Sequence, residues 1–159
     1  MNSKEWIELF DDSVRVSIDI VSATKNNWPV SFEIFSSDMF KTVQLPWWHV
    51  KGEPWSPHDW PNGGERYTVH SARENLAALG PKRRERIFSL AEGMEQRLSP
   101  VLLPAIRMKR SKGAACLMLA DGCHRSIALS MISIKSKALL AVLEVPQGAQ
   151  WDLTVGTLR

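Results

Sequence analysis

Asp121-Gly122-Cys123-His124-Arg125 joins an apolar run, Ala114 to Ala120, to an amphipathic stretch that begins at Ser126. That succession reads as a strand, a tight turn and a helix N-terminus. The first turn of a helix has backbone N–H groups with no intrahelical partner, and it carries a partial positive charge. Gly122 allows a positive φ or a close backbone approach. His124 and Arg125 add an imidazole and a guanidinium. Together these groups make an anion site suited to phosphate.

Working outward, Val101 to Met108 reads as a strand, Ser111-Lys112-Gly113 as a turn, and Ala114 to Ala120 as the hairpin partner. Before them, Pro81 opens a helix, because proline at the first helical position removes an N–H that had no partner there. Its apolar positions Ile87, Leu90, Ala91, Met94 and Leu98 follow helical spacing, and Ser99-Pro100 ends it. After the turn, Ile127, Ala128, Met131 and Ile134 mark the buried face of a helix, and Ala138 to Val145 is the last clear strand. Nearer the N-terminus, Ser3 to Phe10 reads as a short helix with Trp6, Ile7, Leu9 and Phe10 on one side. Val14, Val16, Ile18 and Ile20 alternate with polar residues, the period of a strand with one buried face. Val30 to Phe35 and Phe40 to Leu45 are further strands. Ser71-Ala72-Arg73-Glu74 has the spacing of a capping box, starting a helix that Gly80 closes.

Residues 46–64 hold four of the seven tryptophans, four prolines and three glycines. Proline at that density argues against a regular helix or a central strand, so a long loop pinned by aromatic rings is expected. No repeat or low-complexity linker interrupts the chain. The expectation is an α+β fold in one domain, 1–159. Residues 1–80 supply N-terminal strands and the Trp/Pro-rich loop; residues 81–145 supply a core of a small mixed sheet with flanking helices.

The chain has 159 residues, 44% of them hydrophobic, enough for a real core. No apolar run approaches the ~20 residues that a membrane-spanning helix needs. The first residues lack a signal-peptide core, so a cytoplasmic protein is expected. Cys116 and Cys123 make no disulfide framework. The net charge of +3 hides an asymmetry. Residues 1–79 have 7 Lys/Arg against 11 Asp/Glu, and residues 80–159 have 13 against 6. The base is clustered at Lys82, Arg83, Arg84 and Arg86, and at Arg107, Lys109, Arg110 and Lys112. Such a field suits a nucleotide, a nucleic acid or another polyanion.

From Pro81 to Val145 the order is helix, strand, hairpin turn, strand, Asp-Gly-x-His-Arg, helix, strand. In that order and in its motif the chain resembles the ParB/sulfiredoxin superfamily. ParB-like members carry Asp-Gly-x-His-Arg at this junction; sulfiredoxins carry Gly-Gly-Cys-His-Arg, which Gly122-Cys123-His124-Arg125 matches in four letters. The element order is also similar to that of the Osa-type plasmid fertility-inhibition proteins. The resemblance implies phosphate handling: binding of ATP with Mg²⁺, and of DNA, with hydrolysis of a phosphoanhydride or phosphodiester bond. Two alternatives stand beside it. One is a non-enzymatic inhibitor that binds DNA or protein in plasmid transfer, partition or phage conflict. The other is a cysteine sulfinic acid reductase using Cys123.

Each residue then has a role to test. Arg125 would hold phosphate oxygens and neutralise charge that grows during transfer, or simply pair with Asp121. His124 would donate to phosphate or serve as acid or base. Asp121 is an N-cap, or a ligand that helps hold Mg²⁺. Gly122 and Ser126 belong to the phosphate-binding turn. Cys123, near a helix N-terminus and two cations, is expected to have a lowered pKa and act as a nucleophile, unless it is incidental. Sulfiredoxins have a phosphate-contacting lysine in the preceding helix, where this chain has Lys82, Arg83 and Arg84. Arg83 is taken for the phosphate. Lys82 and Arg84, with Lys109, Arg110 and Lys112 at the hairpin tip, are taken for a nucleic-acid backbone. The Trp47 to Trp60 loop would stack a base, close over a nucleotide or grip a protein partner, or it is held down by buried indoles. His49, His58 and Asp59 match no zinc spacing, so no metal ligand set is assigned.

Overall fold

The computed structural model describes residues 1–10, 25–50, 53–55, 65–95, 100–108, 115–132 and 137–146. The alternating segment 14–20, Leu98, the hairpin tip with Lys109, Arg110 and Lys112, Ile134, and the loop residues His58, Asp59 and Trp60 lie outside them. The architecture is α+β. Helices α1 (Ser3–Phe10), α2 (Val69–Glu74), α3 (Pro81–Glu95) and α4 (Cys123–Met131) flank a mixed sheet. Its strands are β1 (Val30–Ser36), β2 (Gln44–Val50), β3 (Glu53–Trp55), β4 (Glu65–Thr68), β5 (Val101–Met108), β6 (Cys116–Leu119) and β7 (Lys137–Val145). The order is β1-β7-β5-β6-β2-β3, with β4 paired to β2. β5 and β7 run parallel, as do β2 and β6; the other pairs are antiparallel. Strands from both halves of the chain therefore share one sheet.

The period of two divides the core. Leu103, Ala105, Leu140 and Val142 face α2, α3 and α4, joined by Ile87, Ala91 and Met94 of α3 and by Ile127 and Ala128 of α4. Ile106, Met108, Met118, Ala141, Leu143 and Val145 lie in the other cluster, where Trp6, Phe10 and Trp28 cover the sheet. Helix α1 is capped reciprocally by Asn2 and Glu5: the Glu5 N–H donates to Asn2 Oδ1 at 2.9 Å, and the Asn2 N–H to Glu5 Oε2 at 2.8 Å. Leu9, expected on its buried side, is exposed.

Three local expectations are corrected. A 3-10 turn spans Ser37–Thr42, so the strand expected from Phe40 begins at Gln44. The turn buries Phe40 against Phe35, with ring centroids 5.7 Å apart. Secondly, β2 continues through Pro46 and β3 follows, where a loop was expected. The pairing of β2 with β4 shifts register between Gln44 and Trp48, and a proline is tolerated at such an irregularity because no regular ladder bond is demanded of it. Thirdly, the capping box is Thr68 with Ser71 rather than Ser71 with Glu74. The Ser71 N–H donates to Thr68 Oγ1 at 3.0 Å, and the Thr68 N–H to Ser71 Oγ at 2.9 Å. Starting at Val69 lets α2 bury both Val69 and Ala72.

Arg107 is neutralised rather than available to an anion. It bonds Glu33 on β1 at 2.6 and 2.7 Å and Glu144 on β7 at 2.8 Å, tying three adjacent strands together. The hydrogen bond from Arg107 holds the Glu33 carboxyl below its ordinary range, against partial burial.

Candidate functional site

Gly122 is the N-cap of α4 with φ 81° and ψ 23°, the left-handed conformation that glycine adopts without a steric penalty. A Cβ built there would lie 2.5 Å from Leu103 Cδ2 and 3.4 Å from Arg125 Nε and Nη2. The Arg125 guanidinium thus folds back over the turn. As the N-cap, Gly122 has no side chain with which to cap α4. Asp121 stands one residue too early to cap; it accepts a hydrogen bond from Arg125 Nη2 at 3.0 Å. The cap expected of Asp121 is therefore replaced by an ion pair, both of whose side chains remain partly exposed.

Cys123 is buried, and desolvation, reinforced by the Asp121 charge, pushes its thiol far up; Arg83 and Arg125 pull only weakly the other way. This reverses the lowered pKa expected from the sequence. The cations are present, but burial of the sulfur outweighs them. Ser126 is also turned inward: it is fully buried, its Oγ donates to the Cys123 carbonyl at 2.8 Å, and its N–H donates to the Gly122 carbonyl at 2.8 Å. The phosphate contact expected of Ser126 is not available from that hydroxyl.

His124 is half-buried, and its pKa is lowered by desolvation first, then by Arg86 and Arg83, with Asp121 opposing. Its surroundings therefore favour the uncharged imidazole. Arg83 and Arg86, three residues apart on α3, share a helix face that reaches the turn because α3 packs on α4. Arg86 was given no site role from the sequence; its i, i+3 spacing from Arg83 was the signal. Lys82 and Arg84 lie on the same first turns of α3, Lys82 exposed and Arg84 half-buried. Arg73 braces the far end of α4, donating to the Ser130 carbonyl at 2.8 Å.

Among the described residues, no three His, Cys, Asp or Glu side chains are grouped to hold a metal. Asp121 is a single carboxylate already engaged by Arg125, which does not fit a magnesium site built by the protein alone. No described helix is long and apolar enough to cross a membrane. No protein-family model, no curated protein and no solved structure matches the chain.

The lowered pKa of His124 has a sign. Below pH 6.5 the unfolded chain binds a proton that the folded chain resists, so this group's contribution to stability falls as pH drops through that value. Wild type should lose more melting temperature between pH 7.5 and 5.5 than His124→Gln does. Equal losses in thermal unfolding at the two pH values would refute a neutral, desolvated imidazole.

Proposed function

We propose that the chain is a phosphate-handling protein of the ParB/sulfiredoxin type, acting in the cytoplasm, with its anion site at the α4 N-terminus. The observation that carries this reading is the convergence of Arg83, Arg86 and Arg125 on a helix start whose N-cap residue, Gly122, has no side chain. The N–H groups of a helix start and guanidinium donors together suit the oxygens of a nucleotide's phosphates. A phosphate arriving there competes with Asp121 for Arg125 and exchanges one charge-assisted bond for another. Any Mg²⁺ would come with the nucleotide. Hydrolysis of ATP or of a DNA phosphodiester is the proposed activity, with His124, beside those guanidinium groups, in the role of the base that would take a proton from an attacking water.

Arg125→Ala should abolish phosphate release from ATP while leaving a folded protein, measured as released phosphate beside a circular-dichroism check. Undiminished release from the folded variant would sink the assignment. The inhibitor reading has its own support: Asp121 is occupied, and the Cys123 thiol is held neutral, so the turn offers a binding surface with few free reactive groups. Nucleotide or DNA binding without phosphate release, weakening with salt, would decide for it. The sulfinate-reductase reading requires a Cys123 thiolate, which burial opposes.

A further inference from the structure

The outermost strand on one side of the sheet is built like an inner one. β1 ends the strand order, and among the described residues only β7 pairs with it. That register is unbroken over all seven residues of β1, from Val30 opposite Leu143 to Ser36 opposite Lys137, with no bulge. Edge strands are ordinarily blunted by a charge, a proline or a bulge, because their free N–H and C=O groups invite another strand. Pro29 stands just before β1 and leaves its length intact. The one charged residue within the strand, Glu33, is neutralised by Arg107 at 2.6 and 2.7 Å.

The side chains add an apolar strip to that edge. Val30 lies opposite Leu143 and Phe32 opposite Ala141, so Val30, Phe32 and Ile34 share the face that α1 covers. The cover stops short of β1: Phe32 is 48% exposed, and Ile34 at 62% is the most exposed large apolar residue described.

The strip complements itself. Two copies set antiparallel about a two-fold axis at Phe32 bring Phe32 opposite the partner's Phe32 and Val30 opposite the partner's Ile34. Ser31 then meets the partner's Glu33, a hydroxyl against a carboxylate. An axis at Glu33 would instead oppose two carboxylates, which is unfavourable. Charge therefore selects the first register, and the ladder runs from Val30 to Ile34, because Pro29 has no N–H to extend it.

We propose that a second copy of this chain adds to the open edge of β1, joining the two sheets through an antiparallel β1–β1 pair centred on Phe32. A two-fold contact needs only one patch that matches itself. The contact is small beside the ~800 Å² that each partner buries in a standard interface, so the dimer is weak and reversible. It does not depend on the phosphate reading of the Asp121–Arg125 turn.

The test is sedimentation equilibrium of the full chain from about 1 µM to about 1 mM. The average mass should rise from one chain toward two. Ile34→Lys puts a charge on the edge and should weaken association about tenfold or more. Because Ile34 is exposed, this variant should melt with wild type. A wild-type chain that stays monomeric throughout, or a dimer that Ile34→Lys leaves intact, would overturn the proposal. Register is read by copper-phenanthroline oxidation of single-cysteine additions, since Cys116 and Cys123 are buried. Phe32→Cys should link to its own copy. Ile34→Cys should not, because its counterpart lies four residues along the strand, about 13 Å away and beyond disulfide reach. Preferential linking of Ile34→Cys would reject the pairing. Protection of every β1 amide from hydrogen exchange in a dilute monomer would place another stretch of the same chain on the edge, and would reject it too.

Discussion

Replacing Gly122 with alanine is expected to destabilise the protein by about 3 kcal/mol and to lower its melting temperature by about 10 °C. Two effects add. An L-residue held in the left-handed region loses about 1–2 kcal/mol. The new methyl group also falls 2.5 Å from Leu103 Cδ2, and Leu103 is fully buried between α4 and the sheet, so relief requires the core to repack. Overpacking of that kind costs about 1–3 kcal/mol. Gly93, in the last turn of α3 with open space where a Cβ would lie, is the contrast: alanine there should stabilise by up to about 1 kcal/mol. Urea unfolding of both variants checks the pair. A loss below about 1 kcal/mol at Gly122 would mean that neither strain nor contact is as described. Combining Gly122→Ala with Leu103→Val should recover part of the overpacking, seen as a coupling above about 0.5 kcal/mol in a double-mutant cycle.

Trp6→Ala should cost about 3–5 kcal/mol, a large share of the 5–15 kcal/mol that holds an ordinary domain together. Trp6 is fully buried, its indole N–H donates to the Ala141 carbonyl at 2.7 Å, and its ring meets Phe10 edge-on with centroids 5.4 Å apart. It is the anchor of α1 on the sheet. Trp6→Phe retains most of the apolar area and loses the hydrogen bond, so its cost should be nearer 1 kcal/mol. Urea titrations of the two variants separate these terms. Since α1 lies on the face opposite α4, tripolyphosphate binding should be unchanged wherever the variants remain folded. A loss confined to binding, with stability intact, would contradict that division of the core.

Much of the fold was legible where local signals and burial agree. Ser3–Phe10, Pro81 at the start of its helix, Val101–Met108 and the strand before Asp121 follow directly from periodicity and proline chemistry. The misread places are those where a local signal competed with a tertiary one. Ser71 and Glu74 have good capping spacing, yet burial of Val69 moves the helix start to Thr68. Pro46 argues against a strand, yet a register shift accommodates it. At the site, Gly122 was readable because positive φ is written in the residue type. The burial of Cys123 and Ser126 was not, because it depends on how α4 is rolled against Leu103 and the sheet. The Asp121–Arg125 pair and the approach of Arg86 depend likewise on the packing of α3 on α4.

The last of the described strands, β7, sits between β1 and β5. During synthesis, β1 waits more than a hundred residues for its only described neighbour, because Val30 pairs with Leu143. Pairing over such sequence separation is slow and leaves apolar strands uncovered meanwhile. Until Val145 clears the ribosomal exit tunnel, β1 and β5 lack the described strand that lies between them. A nascent chain stalled before that point is expected to be a client for holding chaperones and proteases rather than a partly working protein.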